Sequence, residues 1–203
     1  MATTVATNRD REILDTLTLR IRVMAMTQIS RTWWPELEKP TNVAERRLRT
    51  LERRGLVELV TLSARPEIAM SAPLATWREG RVTPNFAAVA HRLRTRWKQA
   101  GPARRTACVI ASGGVMRQPR ISETTHDLHL AAVYLLMLRD HPTRAKTWTF
   151  ESQNFQPNEK LPDALVSDGR LKTAIELGGE YTKHRLEAFH AHCHEQGYGY
   201  EIW

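Results

Sequence analysis

Apolar residues recur at helical spacing from Asp10 onward, where Ile13, Leu14, Leu17 and Ile21 fall on one face and Asp10 is placed to cap the helix. A second short helix is predicted over 27–34, stopped by Pro35 and the polar loop that runs to Pro40. A third starts at Thr41 or Asn42 and ends at Gly55. In this third helix Ala44, Leu48 and Leu51 share one face. Asn42, Arg46, Arg49 and Arg53 share the opposite face, with Arg47 and Arg54 on its flank. An apolar back and an arginine-rich front suit a helix that lies in a DNA major groove.

Beyond Gly55 the period changes from helical to alternating. LVELVTL reads as a strand, a Pro-bearing loop follows, and 74–78 reads as a second strand turned by Glu79-Gly80. A helix is predicted over 84–98, with Phe86, Val89, Ala90 and Leu93 for a core and Arg92, Arg94, Arg96 and Lys98 placed either to touch phosphates or to face water. Helix, helix, basic helix, Gly, strand, loop, strand is the order of a winged helix-turn-helix. The run RRLRTLERRGLVE (46–58) resembles that family's recognition helix and the strand after it.

Lys98-Gln-Ala-Gly-Pro-Ala-Arg-Arg105 combines a helix end, Gly-Pro and charge, and marks a domain boundary. After it, a strand is expected over 106–112 and a long apolar helix over 124–139. The apolar residues of that helix occupy most of its circumference, so it is expected to be buried on more than one side. KTWTFES (146–152) alternates like a strand. Two short strands joined by Ser167-Asp168-Gly169-Arg170 come next, then a helix over 181–195 and a strand over 197–203. The expected fold class is α+β: an N-terminal winged helix-turn-helix over 9–100, then a PD-(D/E)xK-like mixed sheet flanked by helices over 105–203.

Charge sharpens the picture. The 203 residues carry 30 Lys and Arg against 22 acids, a net charge of +8, which points to a polyanion, with double-stranded DNA as the first expectation. No apolar run approaches the ~20 residues of a membrane span. The N-terminal segment lacks the apolar core of a signal peptide. Two cysteines, Cys108 and Cys193, give no disulfide framework; a cytoplasmic protein with no membrane partner is expected.

Candidate chemistry centres on 161–179. Pro162-Asp163 opens one strand and Glu176 stands near the end of the next, so both acids can reach one Mg²⁺ through oxygen ligands. A nuclease of the PD-(D/E)xK type also needs a lysine two residues after the glutamate, and position 178 is Gly. Lys183 and Lys172 are the candidate replacements, and Glu123 or Glu151 a candidate third acid. Asp163, Glu176, Lys183 and Lys172 are therefore catalytic candidates only if the site is active; otherwise no cofactor is expected. The cluster EAFHAHCHEQG (187–197) places His190 and His194 at i, i+4, a zinc-compatible spacing, with Cys193 beside them. It lacks the Glu that a metalloprotease sets after its first histidine, so these are read as structural or solvated side chains.

Val82-Thr83-Pro84 before a helix, His126-Asp127-Leu128 leading another, Trp148, the Pro162-Asp163 strand, the Ile175-Glu176 strand with Gly, and a final basic helix from Tyr181 to Phe189 are similar to the plasmid replication-relaxation family of bacterial mobile elements. That resemblance spans nearly the whole chain from about Asp10. It implies a winged helix joined to a PD-(D/E)xK-like domain that has often lost its lysine. It also implies DNA binding in plasmid replication, mobilisation or their control, with a homodimer or replication and mobilisation proteins as further partners. Many members follow the glutamate strand with an Asp-Arg-Gly type segment; this chain has Leu177-Gly178-Gly179-Glu180. Two other readings stand beside it: a Mg²⁺-dependent endonuclease similar to type IV restriction proteins, and a winged-helix transcriptional regulator.

Overall fold

A computed structural model describes residues 6–113, 119–150 and 162–203. In chain order the elements are α1 (Asn8–Leu19), β1 (Met24–Ala25), α2 (Met26–Trp33), α3 (Pro40–Glu52), β2 (Val57–Ala64), β3 (Ala75–Trp77), α4 (Phe86–Lys98) and β4 (Arg104–Ala111). They continue with α5 (Thr124–Asp140), α6 (Pro142–Ala145), β5 (Ala164–Asp168), β6 (Leu171–Glu176), α7 (Lys183–Glu195) and β7 (Gly199–Ile202). The fold class is mixed α+β, with two separate sheets among the described residues. No helix among them is long and apolar enough to cross a membrane.

The chain packs as two units, and they are interleaved. One comprises Met1–Ala64 and Ala103–Ala131; the other comprises Arg65–Pro102 and Ala132–Trp203. Helix α5 begins in the first and ends in the second. This differs from the linear division at 9–100 and 105–203 expected from the junction residues: 65–102 packs with the second unit, and β4 with the first.

In the first unit the sheet order is β1-β4-β2, antiparallel throughout. Strand β4 is central, pairing Val109 with both Met24 and Leu59. The sequence pattern predicts the strand at 74–78 as the partner of β2; that segment, β3, instead pairs with β7 in the other sheet. Alternation marks a strand without marking its neighbour. Ile13, Leu17, Leu48 and Leu51 are fully buried, joining the backs of α1 and α3 to the core. On one face of this sheet Val23, Ala25, Ala64, Cys108, Ile110 and Leu128 form a second apolar cluster.

Helix α1 starts in a capping box: the Asp10 backbone N–H donates to Thr7 Oγ1 (3.2 Å) and the Thr7 N–H donates to Asp10 Oδ2 (2.6 Å). Helix α2 is oriented by the buried Gln28, whose Oε1 accepts the Ala25 N–H (2.9 Å) and whose Nε2 donates to the Leu128 carbonyl (2.7 Å). Pro40 sits in the first turn of α3, where its missing N–H costs nothing.

The second unit holds a mixed four-stranded sheet of order β3-β7-β6-β5. Strands β5 and β6 form a hairpin turned at Gly169, whose φ of +66° a side chain would resist. Helix α7 connects β6 to its parallel neighbour β7. One face of the sheet packs on α4 and α7 through Trp77, Val89, Leu93, Ala174, Leu186, Phe189 and Tyr200. The strand expected over 146–152 does not form over its described part, 146–150, where a turn after α6 leaves only an isolated bridge from Thr149 to Leu165; Glu151 lies outside the described residues.

Candidate functional site

The sequence residues proposed for DNA contact all lie on or just after α3. Asn42, Arg46, Arg49, Arg53 and Arg54 are exposed, and Ala44, Leu48 and Leu51 beneath them are fully buried. An open groove of about 430 Å³ runs along this face, lined by Asn42, Glu45, Arg46, Arg49, Glu52 and Arg53. Its charge is mixed. Glu45 Oε1 accepts from both Nη2 (2.7 Å) and Nε (3.2 Å) of Arg49. Arg53 folds back, its Nε donating to the Arg49 carbonyl (3.3 Å). Glu52 Oε1 accepts the Leu59 N–H (3.0 Å) and so ties the end of α3 to β2.

Arg47 belongs elsewhere. Expected on the DNA-facing flank, it turns back to α1 and forms a two-pronged ion pair with Asp10, Nε to Oδ1 at 2.8 Å and Nη2 to Oδ2. Asp10 is fully buried and Arg47 is largely covered. Burial alone would raise the Asp10 pKa, but hydrogen bonds from Arg47 and Thr7 together with the Arg47 charge hold it down, at about 2. Arg47 is thus the strut that fixes α3 on α1, its Nε and Nη2 engaged by Asp10 and its side chain largely covered.

In the second unit Asp163 and Glu176 do converge. The register that pairs Ala164 with Ile175 sets Asp163 opposite Glu176, and Asp163 Oδ2 accepts the Leu177 N–H (2.7 Å). Glu176 is buried, 6% exposed, and its Oε1 accepts the Tyr181 hydroxyl (2.6 Å). That hydroxyl accepts from Arg185 Nη2 (2.9 Å), while the guanidinium carbon lies 3.8 Å from the Tyr181 ring centroid. Burial first, and then the Glu176 charge, push the Tyr181 phenol above its ordinary pKa, so it stays a donor. Sequence reasoning missed both Tyr181 and Arg185 as part of this site; the signal was their i, i+4 spacing immediately after the glutamate strand.

Neither candidate lysine takes the place of the missing one. Lys172 Nζ lies 5.6 Å over the Tyr198 ring, and Lys183 pairs with Glu187 at 3.4 Å, one turn along α7. Glu123, the candidate third acid, is held in the first unit by Arg22 (3.2 Å) and Arg120 (3.1 Å).

Position 178 is crowded by α4. A Cβ built on Gly178 would sit 2.6 Å from Leu93 Cδ2 and 2.7 Å from its Cδ1, and Leu93 is fully buried. Trp97, one turn along α4, donates from Nε1 to the Gly178 carbonyl (2.6 Å), and the Gly178 N–H donates to the Trp203 carbonyl (2.9 Å). Helix α4 is packed straight onto the backbone at Gly178.

In the histidine cluster His190 and Cys193 are packed and His194 is exposed. His190 stacks edge-on against Trp77 (ring centroids 4.7 Å apart), and its Nδ1 lies 3.2 Å from the Tyr200 hydroxyl. His194 is 6.4 Å from His190 between ring centroids, and burial pushes the Cys193 thiol up to about 12. Among the described residues no group of three or more His, Cys, Asp or Glu is arranged to hold a metal ion.

Comparison with models of known families, with curated proteins and with solved structures finds no match to this chain.

Proposed function

We propose that the protein binds double-stranded DNA through α3, in the manner of a winged helix, as part of the replication, mobilisation or control of a bacterial plasmid. The observation that carries the DNA reading is the two-faced third helix: Ala44, Leu48 and Leu51 fully buried behind, Asn42, Arg46, Arg49 and Arg53 exposed along one groove in front. The element order α1-β1-α2-α3-β2-β4 and the sheet order β1-β4-β2 support the winged-helix reading. The net charge of +8 supports a polyanionic partner. The plasmid assignment rests on the family resemblance of the sequence alone.

In this reading the second unit is a nuclease-like domain that docks DNA or protein without cleaving. Its hairpin, its parallel β6-α7-β7 unit and the opposed Asp163 and Glu176 support the likeness. The packing of Leu93 on Gly178 and the outward ion pair of Lys183 argue against catalysis.

The test is duplex binding followed by fluorescence anisotropy over a range of salt. Wild type binds with a steep dependence on salt. Arg46→Ala with Arg49→Ala weakens binding and lowers the slope by about one unit for each of the two cations that contacts the phosphate backbone. Binding unchanged in affinity and slope would remove α3 from the interface.

A further inference from the structure

An acidic side chain in the middle of a DNA-facing stripe is a cost, because it repels phosphates and cancels one of the cations that attract them. Glu45 is such a residue. It lines the same groove as Asn42, Arg46 and Arg49 and stands one turn before Arg49 on α3. As a stabilising pair the contact has little to offer: both side chains are well exposed, 44% for Glu45 and 61% for Arg49, and surface pairs of this kind add little to stability.

The geometry of the pair gives it a better use. A guanidinium has two forked edges. Glu45 Oε1 takes the edge made by Nε (3.2 Å) and Nη2 (2.7 Å), so the edge made by Nη1 and Nη2 is left for another acceptor pair. An arginine held along one side and open at its tip is ordered for bidentate donation to the O6 and N7 of guanine in the major groove. Arg53 and Arg47 engage the same edge but with other partners: Arg53 holds the Arg49 carbonyl and the Thr50 hydroxyl of its own helix, and Arg47 is turned to Asp10 of α1 and largely covered.

Building on the DNA-binding reading above, we infer that Glu45 is a positioning residue for base recognition: it fixes Arg49 to read one guanine of the site. Glu45 contributes selectivity at the expense of overall affinity. Arg49 supplies the base contact, while Arg46, which carries no such brace, serves the phosphates.

The experiment is selection of bound duplexes from a random-sequence pool by the full-length protein, followed by affinity measurements on the selected site and its single-base variants. Wild type enriches a guanine whose replacement weakens binding on the order of ten- to a hundredfold. Arg49→Ala and Arg49→Lys erase the preference at that position. Glu45→Gln erases most of it while binding random duplex several-fold more tightly. Arg46→Ala lowers affinity evenly and leaves base preference intact, which separates loss of reading from loss of charge. A guanine preference that survives Glu45→Gln would overturn the role of Glu45. Enrichment of no sequence by a protein that still binds duplex would overturn this inference and leave the DNA-binding reading standing. Failure of wild type to bind any duplex would overturn both.

Discussion

A Cβ at Gly178 would lie 2.6 Å from Leu93 Cδ2, inside any contact that two carbons tolerate. Helix α4 and the end of β6 therefore meet at a backbone without a side chain, and the Trp97 indole fastens the same peptide.

Gly178→Ala is expected to lower stability by ~1–3 kcal/mol, the range for forcing extra atoms into a packed core. Gly178→Lys should cost more and should leave supercoiled plasmid intact in Mg²⁺ or Mn²⁺. Thermal denaturation reads the first effect and gel electrophoresis the second. A Gly178→Lys protein as stable as wild type would show that Leu93 yields easily.

The Asp10–Arg47 pair should be visible as acid sensitivity. Because the folded-state pKa of Asp10 is depressed from 3.8 to about 2, the unfolded chain binds the proton first. Its contribution is complete above the unfolded value and is lost as pH falls from about 4 towards about 2. Arg47→Met is expected to destabilise by ~3 kcal/mol near neutrality, since it strands a buried carboxylate. In urea denaturation it should also remove the protein's excess loss of stability over that acid range. Near-neutral duplex binding by Arg47→Met, corrected for the folded fraction, should keep the wild-type salt slope, which a direct phosphate contact would not.

Proton linkage has the opposite charge sense at His190. Burial foremost, then repulsion from His194, lowers its pKa below the ordinary 6.5, so the folded state prefers the neutral ring. Stability is unaffected above 6.5 and declines as pH falls below it, because the unfolded chain takes the proton first. His190→Gln should flatten that decline in denaturant titrations between pH 7 and pH 5. An unchanged decline would assign it to another group.

Residues 9–100 expressed alone should not fold, because they lack β4, the central strand of the first sheet. Replacing 65–103 with a two-residue Asn-Gly turn should restore the unit within 6–131, since Ala64 and Arg104 are already paired across the antiparallel register. Circular dichroism and amide exchange distinguish the two outcomes. A cooperatively folded 9–100 fragment would contradict the interleaved packing.

Local patterns were legible in the sequence wherever a residue's role depended on its own helix or strand. Ala44, Leu48 and Leu51 declared the back of α3, and Pro162-Asp163 with Glu176 declared a hairpin whose acids oppose each other. What escaped were partnerships across the chain. Arg47 looked like its neighbours because its partner lies 37 positions upstream. Strand β3 alternated correctly but found β7, and β4 went back to β2, because alternation encodes a face and not a neighbour. Gly178 stood in the sequence only as a motif position; its close approach to Leu93 and Trp97 shows only once α4 is in place.

The excursion of 65–102 between two paired strands also imposes a schedule on synthesis. Strand β2 is complete at Ala64, yet the strand it needs is not finished until Ala111, and β3, complete at Trp77, must wait for Gly199–Ile202. At roughly 5–20 residues per second, β3 stays unpaired on the ribosome for on the order of ten seconds. During that interval its open edge and the unburied Trp77 are exposed to other nascent chains. The nascent protein is therefore expected to depend on chaperones that shield such edges, and slower translation should raise the fraction that aggregates.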